Sequence, residues 1–124
     1  MKTILIADDS KTTQMLVRTT LSRMPGLQFV AAENGRQALE MLDGAAVDLL
    51  VTDINMPEMD GIELVREVRR RKSSDELPIL IMTAKGEDAA RGEGMALGAN
   101  AYILKPLSGR ELLDKASKLL VKTA

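Results

Sequence analysis

The segment Asp48-Leu49-Leu50-Val51-Thr52-Asp53 decides the fold, because it is a short apolar run that ends in a carboxylate. Comparable runs, rich in isoleucine, leucine and valine, lie at residues 3–7, 28–32, 78–83 and 101–104. None of them alternates cleanly between apolar and polar residues. Such runs could be strands covered on both faces or buried helix segments, and their length of about five residues favours strands. We therefore predict a parallel sheet whose third strand spans 48–52.

Helix-length segments separate these runs and carry start and stop signals. A capping side chain stands three residues before a Glu or Gln at Asn34–Gln37, Asp60–Glu63 and Ser108–Glu111. Stop signals occur at Pro25-Gly26, Gly44 and Gly98. Strand and helix alternate five times, which predicts right-handed crossovers and a doubly wound three-layer α/β sandwich with five helices.

The composition restricts which functions are possible. The chain has 124 residues, which predicts one domain spanning 1–124, and its formal net charge of −1 argues against nucleic-acid binding through bulk charge. Cysteine and histidine are absent, which excludes disulfides, thiolate chemistry, Ser-His-Asp catalysis and most zinc sites. The N-terminal apolar run stops at Asp8-Asp9, too early for a secretory signal, and no run could span a bilayer. We expect a cytoplasmic protein without membrane insertion.

Polar residues follow four of the five predicted strands. The first strand is followed by Asp8-Asp9, the third by Asp53, the fourth ends in Thr83, and the fifth leads to Lys105-Pro106. The second is followed only by residues 33–35, which resemble a cap and a turn. Ligand sites in open α/β sheets form at the carboxyl ends of the strands. In strand order 2-1-3-4-5 the second strand is remote, and the four informative ends converge on one crevice.

These side chains suggest a chemistry when they are taken together, although each alone has an ordinary structural explanation. Two carboxylates about 4 Å apart repel each other by roughly 4 kcal/mol at an effective dielectric constant near 20. Three carboxylates therefore need a counterion, and oxygen ligands without His or Cys indicate Mg²⁺ or Mn²⁺. A carboxylate beside such an ion can act as a nucleophile and become an acyl phosphate. Thr83 and Lys105 would then bind the phosphoryl oxygens.

Four motifs carry a family resemblance over nearly the whole chain. They are Asp8-Asp9-Ser10, the segment 52–61, Thr83-Ala84 and the segment 98–106. With them the chain resembles the receiver domain of two-component response regulators, and among these the single-domain, CheY-like chemotaxis type. The resemblance implies a flavodoxin-like fold with strand order 2-1-3-4-5.

The resemblance also implies roles for individual residues. Asp53 would accept a phosphoryl group from a phosphohistidine on a sensor histidine kinase. Asp9 and Asp53 would bind Mg²⁺ directly, Asp8 through water, and Asn55 through its backbone carbonyl. Thr83 would hydrogen-bond the phosphoryl group, and Lys105 would form an ion pair with it.

The same resemblance implies how a signal would leave the site. Tyr102 matches an aromatic switch position and would turn inward when Thr83 moves. The Lys105–Pro106 peptide bond is expected to be cis. Asn55 and Lys85 flank the phosphorylation site and would tune the lifetime of the acyl phosphate.

We predict a monomeric signalling switch rather than a metabolic enzyme, with intrinsic autophosphorylation and slow autodephosphorylation. Its effector would be a separate protein, either a motor switch component in chemotaxis or a phosphotransfer protein in a phosphorelay. Three other classes fit less well. A phosphohydrolase resembling haloacid dehalogenases would have Asp at position 55, a flavin binder would need more aromatic residues than Phe29 and Tyr102, and a metal-free pseudo-receiver would lack these chemical groups.

Two helical segments carry further predictions. Arg66, Arg69, Arg70, Arg71 and Lys72 form a basic cluster that we interpret as a solvated face near a helix C-terminus. The fourth helical segment, 86–98, holds Gly92 and Gly94 in its interior. Because each interior glycine costs up to about 1 kcal/mol of helix stability, we predict that this helix is soft and helps to transmit the switch.

Overall fold

A computed structural model describes residues 1–121, in which strands and helices alternate along the chain. These residues form five strands and five helices. The elements are β1 (Lys2–Ala7), α1 (Lys11–Leu21), β2 (Leu27–Ala32), α2 (Gly35–Gly44), β3 (Leu49–Asp53), α3 (Gly61–Arg69), β4 (Ile79–Thr83), α4 (Asp88–Ala96), β5 (Ala101–Leu104) and α5 (Gly109–Val121).

The strands form one parallel sheet in the order β2-β1-β3-β4-β5, which confirms the predicted order. Two apolar cores lie on opposite faces of this sheet. Alternate residues of β1 divide between them: Ile4 and Ile6 pack with α1 and α5, whereas Leu5 and Ala7 pack with α2 and α3. The helices therefore cover both faces, as the predicted three-layer sandwich requires.

The prediction that every strand is covered on both faces is correct for the middle of the sheet and wrong for its edges. All residues of β3 and β4 are buried, but β2 exposes Gln28, Val30 and Ala31, and β5 exposes Leu104. β2 and β5 each have a neighbouring strand on one side only. The helix layers extend less far over these edge strands, which leaves some of their side chains in solvent.

The helix starts agree largely with the cap predictions. The Asn34 side chain accepts from the Gln37 amide at 2.8 Å, and the Asp60 side chain accepts from the Glu63 amide at 2.9 Å. Ser108 accepts from the Glu111 amide at 3.3 Å. The Glu63 carboxylate does not close the second half of its box and instead pairs with Arg66 in the next turn. These caps determine the residue at which each helix begins after the carboxyl end of the preceding strand.

A close backbone contact fixes the start of α3 against the end of β3. The Gly61 amide donates to the Ile54 carbonyl at 2.7 Å. A Cβ atom at this position would lie 2.0 Å from the Asp53 carbonyl oxygen, so only glycine fits. The position of the backbone at Asp53 therefore depends on the position of the first residue of α3.

The basic cluster is not a uniformly solvated face, which corrects the sequence interpretation. The Arg69 guanidinium donates to the Gly98 carbonyl at 2.8 Å and to the Asn100 side chain at 2.9 Å. The other three arginines form ion pairs with acidic side chains, namely Arg66 with Glu63 and Glu93, Arg70 with Glu67, and Arg71 with Asp43. Burial lowers the pKa of Arg69. Arg69 thus joins the end of α3 to the segment that precedes β5.

None of the helices within residues 1–121 is both long enough and apolar enough to cross a bilayer.

Candidate functional site

Three carboxylates meet at the carboxyl edge of the sheet. Asp8 is fully buried after β1, Asp53 is 7% exposed at the end of β3, and Asp9 is exposed beside them. One carboxylate oxygen from each of the three lies within 4.8 Å of the others. The register, which pairs Ala7 with Thr52, makes this possible because it aligns the ends of β1 and β3.

Backbone amides and a lysine hold the two buried carboxylates. Asp8 Oδ1 accepts from the Ser10 amide at 2.8 Å, and Asp53 Oδ1 accepts from the Ile54 amide at 2.9 Å. Lys105 Nζ lies 3.2 Å from Asp53 Oδ1 and 3.4 Å from Asp8 Oδ2. One lysine thus faces a pair of carboxylates.

The electrostatics of the cluster leave Asp53 costly to ionise. Burial raises the pKa of Asp53, and the nearby charge of Asp8 raises it further, against opposing effects of Lys105 and the Ile54 amide. Burial alone would lower the pKa of Lys105, but the negative charges of Asp53 and Asp8 raise it above its ordinary value. The cluster therefore has an excess of negative charge that a bound cation would offset.

The donor set fits a hard divalent cation. It consists of carboxylate oxygens, and Mg²⁺ binds such oxygens while keeping several of its waters. Asp9 and Asn55 line an open depression of about 430 Å³ together with Met56, Pro57 and Asp60. Space for coordinated waters and for an approaching phosphoryl group therefore exists beside the acidic cluster.

Thr83 lies at the end of β4, next to the strand that carries Asp53, and its side chain is buried. Its hydroxyl lies 3.2 Å from Glu87 Oε1 and 3.4 Å from the Ala84 carbonyl oxygen. Glu87 Oε1 also accepts from the Ala84 amide at 2.5 Å. The second oxygen of Glu87 accepts from the Asn55 side chain, which is exposed. Glu87 thus accepts from three donors, two at the end of β4 and one in the loop after β3.

Tyr102 lies on β5, and two cationic side chains lie close to its ring. The Arg91 guanidinium is 4.7 Å from the ring centroid and Lys115 Nζ is 5.1 Å from it, on the approach typical of cation–π contacts. Lys115 Nζ also donates to the Tyr102 carbonyl at 2.5 Å. The ring is partly buried. α4 and α5 each therefore hold this side chain through one charged residue.

Glu87, Arg91 and Lys115 were not singled out by the sequence analysis. Glu87 stands just before α4, where an acid is usually explained by the helix dipole. Arg91 and Lys115 lie on helices and resemble ordinary solvated charges. The Lys105–Pro106 bond is cis, as the resemblance implied.

A family model described as the response regulator receiver domain matches residues 4–117. The chain belongs to this family.

Similar proteins agree with the assignment to receiver domains. The chemotaxis protein CheY1 of Helicobacter pylori is 38% identical over 118 residues, which cover 94% of this chain and 95% of that protein. A chemotaxis protein CheY homolog of Campylobacter jejuni is 36% identical over 118 residues, 94% of this chain and 91% of that protein. The structure of chemotaxis response regulator CheY4 of Vibrio cholerae shares 33% identity with a TM-score of 0.85, covering 96% of this receiver and 98% of that chain.

Membership of the receiver family favours a signalling switch over the phosphohydrolase and flavin-binding alternatives. The acidic cluster of this receiver could bind a metal ion. The individual roles of Asp8, Asp9, Asp53 and the other site residues remain predictions.

Proposed function

We propose that this receiver takes a phosphoryl group onto Asp53 from a phosphohistidine of a partner histidine kinase, in the presence of Mg²⁺. The observation that carries the proposal is the position of the Asp53 carboxylate. It lies 3.2 Å from Lys105 Nζ and within 4.8 Å of the ligand oxygens of Asp8 and Asp9. Burial and the negative charge of Asp8 raise the pKa of Asp53, so the ionised nucleophile and the phosphoryl group that it receives both need a cation beside them.

In the transfer step, a carboxylate oxygen of Asp53 attacks phosphorus and a P–O bond forms. The P–N bond of the donor breaks, and the imidazole nitrogen leaves with the bonding electron pair and ends as neutral imidazole after proton uptake. Lys105 and the Thr83 hydroxyl bind the phosphoryl oxygens and spread their charge. Mg²⁺, or Mn²⁺ in its place, would be held by Asp8, Asp9, Asp53 and the Asn55 carbonyl and would offset the negative charge of these oxygens.

The output of this receiver is a change of binding surface. Thr83 and Tyr102 are the switch residues, and a separate effector protein reads the result. Chemotaxis is the process we propose, because the relatives from Helicobacter pylori and Campylobacter jejuni are named chemotaxis proteins and match this chain over nearly their whole length. The single domain at 1–124, the monomeric state and the cytoplasmic location stay part of this proposal.

Incubation with acetyl phosphate and Mg²⁺, followed by intact mass measurement, tests the phosphoryl transfer. We expect one added phosphoryl group on the wild type and none on Asp53→Ala. Addition of a chelator before acetyl phosphate abolishes the mass increase as well. The matched control is Asp114→Ala, because Asp114 is an exposed acid on α5 that pairs with Lys118. Labelling that persists in Asp53→Ala would contradict the proposal.

A further inference from the structure

Glu87 is placed unusually for a residue at a helix start. It precedes α4, but its side chain caps no amide of that helix, whereas Ser10, Asn34 and Asp60 each cap their own helix. The Glu87 carboxylate turns back toward the end of β4 and accepts hydrogen bonds there. The Glu87 side chain therefore contacts the candidate site at the end of β4 and does not cap α4.

Two of the donors that Glu87 occupies lie at the end of the strand adjacent to Asp53. The register pairs Asp53 with Met82, so the Thr83 hydroxyl and the Ala84 amide follow directly on the adjacent strand. Both donate to the same oxygen, Glu87 Oε1, at 3.2 and 2.5 Å. The oxygens of a carboxylate lie in a plane and those of a phosphoryl group are arranged tetrahedrally. Both groups carry negative charge on oxygen and accept hydrogen bonds from such donors. The Glu87 carboxylate thus takes up the Thr83 hydroxyl, which the proposed function assigns to the phosphoryl oxygens.

The two anions exclude each other for chemical reasons. A threonine hydroxyl has one hydrogen and can donate to one acceptor at a time, and so can a backbone amide. Glu87 also brings a negative charge to the end of β4, the strand next to the one that carries Asp53. A phosphoryl group on Asp53 that bound the same donors would bring a second anion to them, so the two groups would repel.

We infer that Glu87 is an internal competitor for the phosphoryl-binding donors, one that stabilises the unphosphorylated state and must leave Thr83 and Ala84 when Asp53 is modified. This inference rests on the proposed function of Asp53. Because Glu87 directly precedes Asp88, the first residue of α4, its release frees the start of that helix. Occupation of the donors and the position of α4 are thereby linked through one side chain.

The experiment measures the affinity for beryllofluoride, a phosphoryl mimic, in the presence of Mg²⁺ by titration of amide resonances. In Glu87→Ala we expect binding about tenfold tighter than in the wild type, since the charge-assisted hydrogen bonds from the Thr83 hydroxyl and the Ala84 amide no longer have to be broken. Glu87→Gln keeps the shape and removes the charge, so we expect a smaller gain in the same direction. It also preserves the test if the alanine variant folds poorly.

The matched control is Glu93→Gln, which removes an equal charge from α4 at an exposed side chain that pairs with Arg66. We expect it to bind beryllofluoride like the wild type. A second readout is the Ala84 amide resonance, which should move upfield in Glu87→Ala and return downfield on addition of beryllofluoride. A role of Glu87 in helix stability alone would not move this resonance in both directions.

The outcomes separate this inference from the proposed function. If the wild type binds beryllofluoride through Asp53 and Glu87→Ala gains no affinity, the competitor role is wrong and phosphorylation of Asp53 stands. If neither protein binds it, both are wrong. A gain in Glu87→Ala that shrinks when Thr83→Ala is also present supports competition for the Thr83 hydroxyl, because residues that share one interaction are not additive. A gain of full size in that background argues against it.

Discussion

α3 and α4 are neighbouring helices of nine residues each, and they are held very differently. α3 buries an apolar face made of Ile62, Leu64, Val65 and Val68. Within its fully described span α4 buries only Gly94, and Gly92 lies exposed beside it. Since burial of apolar side chains supplies most of the stability of a short helix, α3 is anchored more firmly than α4.

The ends of the two helices show the same contrast. Asp60 caps α3, and Arg69 fixes its last turn to Gly98 and Asn100. The residue before α4 is Glu87, whose carboxylate is engaged with Thr83 and Ala84. α3 is thus held at both ends by side-chain hydrogen bonds, whereas the side chain before α4 makes no cap to that helix. This difference is the basis of the prediction that α4 is the softer of the two helices.

The largest expected effect comes from Gly61→Ala in α3. The new Cβ would lie 2.0 Å from the backbone oxygen of Asp53, and backbone atoms at a strand end cannot move away cheaply. We expect the free energy of unfolding to fall by more than about 3 kcal/mol, as measured by urea denaturation.

Gly92→Ala in α4 is the matched substitution. A Cβ on Gly92 would meet no described heavy atom within 4 Å, so the higher helix propensity of alanine should stabilise the protein by up to about 1 kcal/mol. If both substitutions changed the free energy of unfolding in the same direction, the expected difference between α3 and α4 would be wrong.

Amide hydrogen exchange compares the two helices directly within the wild-type protein. We expect the amides of α4 to be protected at least about tenfold less than those of α3, because opening α4 exposes little apolar surface. Equal protection of α4 and of the central strands would show that α4 is not soft. Gly92→Ala should slow exchange in α4 and leave α3 unchanged, which sharpens the test.

Arg69→Ala tests the anchor at the end of α3. The variant loses the hydrogen bonds to Gly98 and Asn100. We expect its free energy of unfolding, measured by urea denaturation, to fall by about 2 kcal/mol. The neighbouring Arg70→Ala is the control, because Arg70 makes an exposed pair with Glu67 that should contribute less than about 0.5 kcal/mol. Equal losses would restore the interpretation of the cluster as a solvated face.

The smallest expected effect is the contribution of the Asp53 charge, at the end of β3, to the stability of the protein. Because the pKa of Asp53 is raised in the folded protein, stability falls as the pH rises from the ordinary pKa of 3.8 through the folded pKa, above which the whole loss is present. In a chelator at neutral pH, Asp53→Asn should therefore melt slightly higher than the wild type. The difference should vanish below the ordinary pKa of 3.8, where both side chains are neutral. A difference that is unchanged across this range would exclude a charge effect.

The sheet could be predicted from sequence because its determinants are local. Apolar runs, caps such as Asn34 and Asp60, and stop glycines each act within a few residues. The exposure of β2 was missed, since burial on a strand depends on how far the helix layers extend and not on the strand itself. The interpretation of Arg69 failed because its partners Gly98 and Asn100 lie about thirty residues away, beyond any local pattern.

The candidate site divides in the same way. Asp8, Asp9, Asp53, Thr83 and Lys105 directly follow or end predicted strands, so the position of each was visible once the sheet was assigned. Glu87 was missed because the direction of a flexible side chain at a helix start depends on which donors are free nearby. Arg91 and Lys115 were missed because their contact with Tyr102 joins three separate elements.

Lys105 and Tyr102 stand only three residues apart at the end of β5. One short segment of main chain therefore carries two groups. They are the ammonium group that pairs with Asp53 and the aromatic ring that contacts Arg91 and Lys115. A change in the main chain at the end of β5 therefore alters the positions of both groups together.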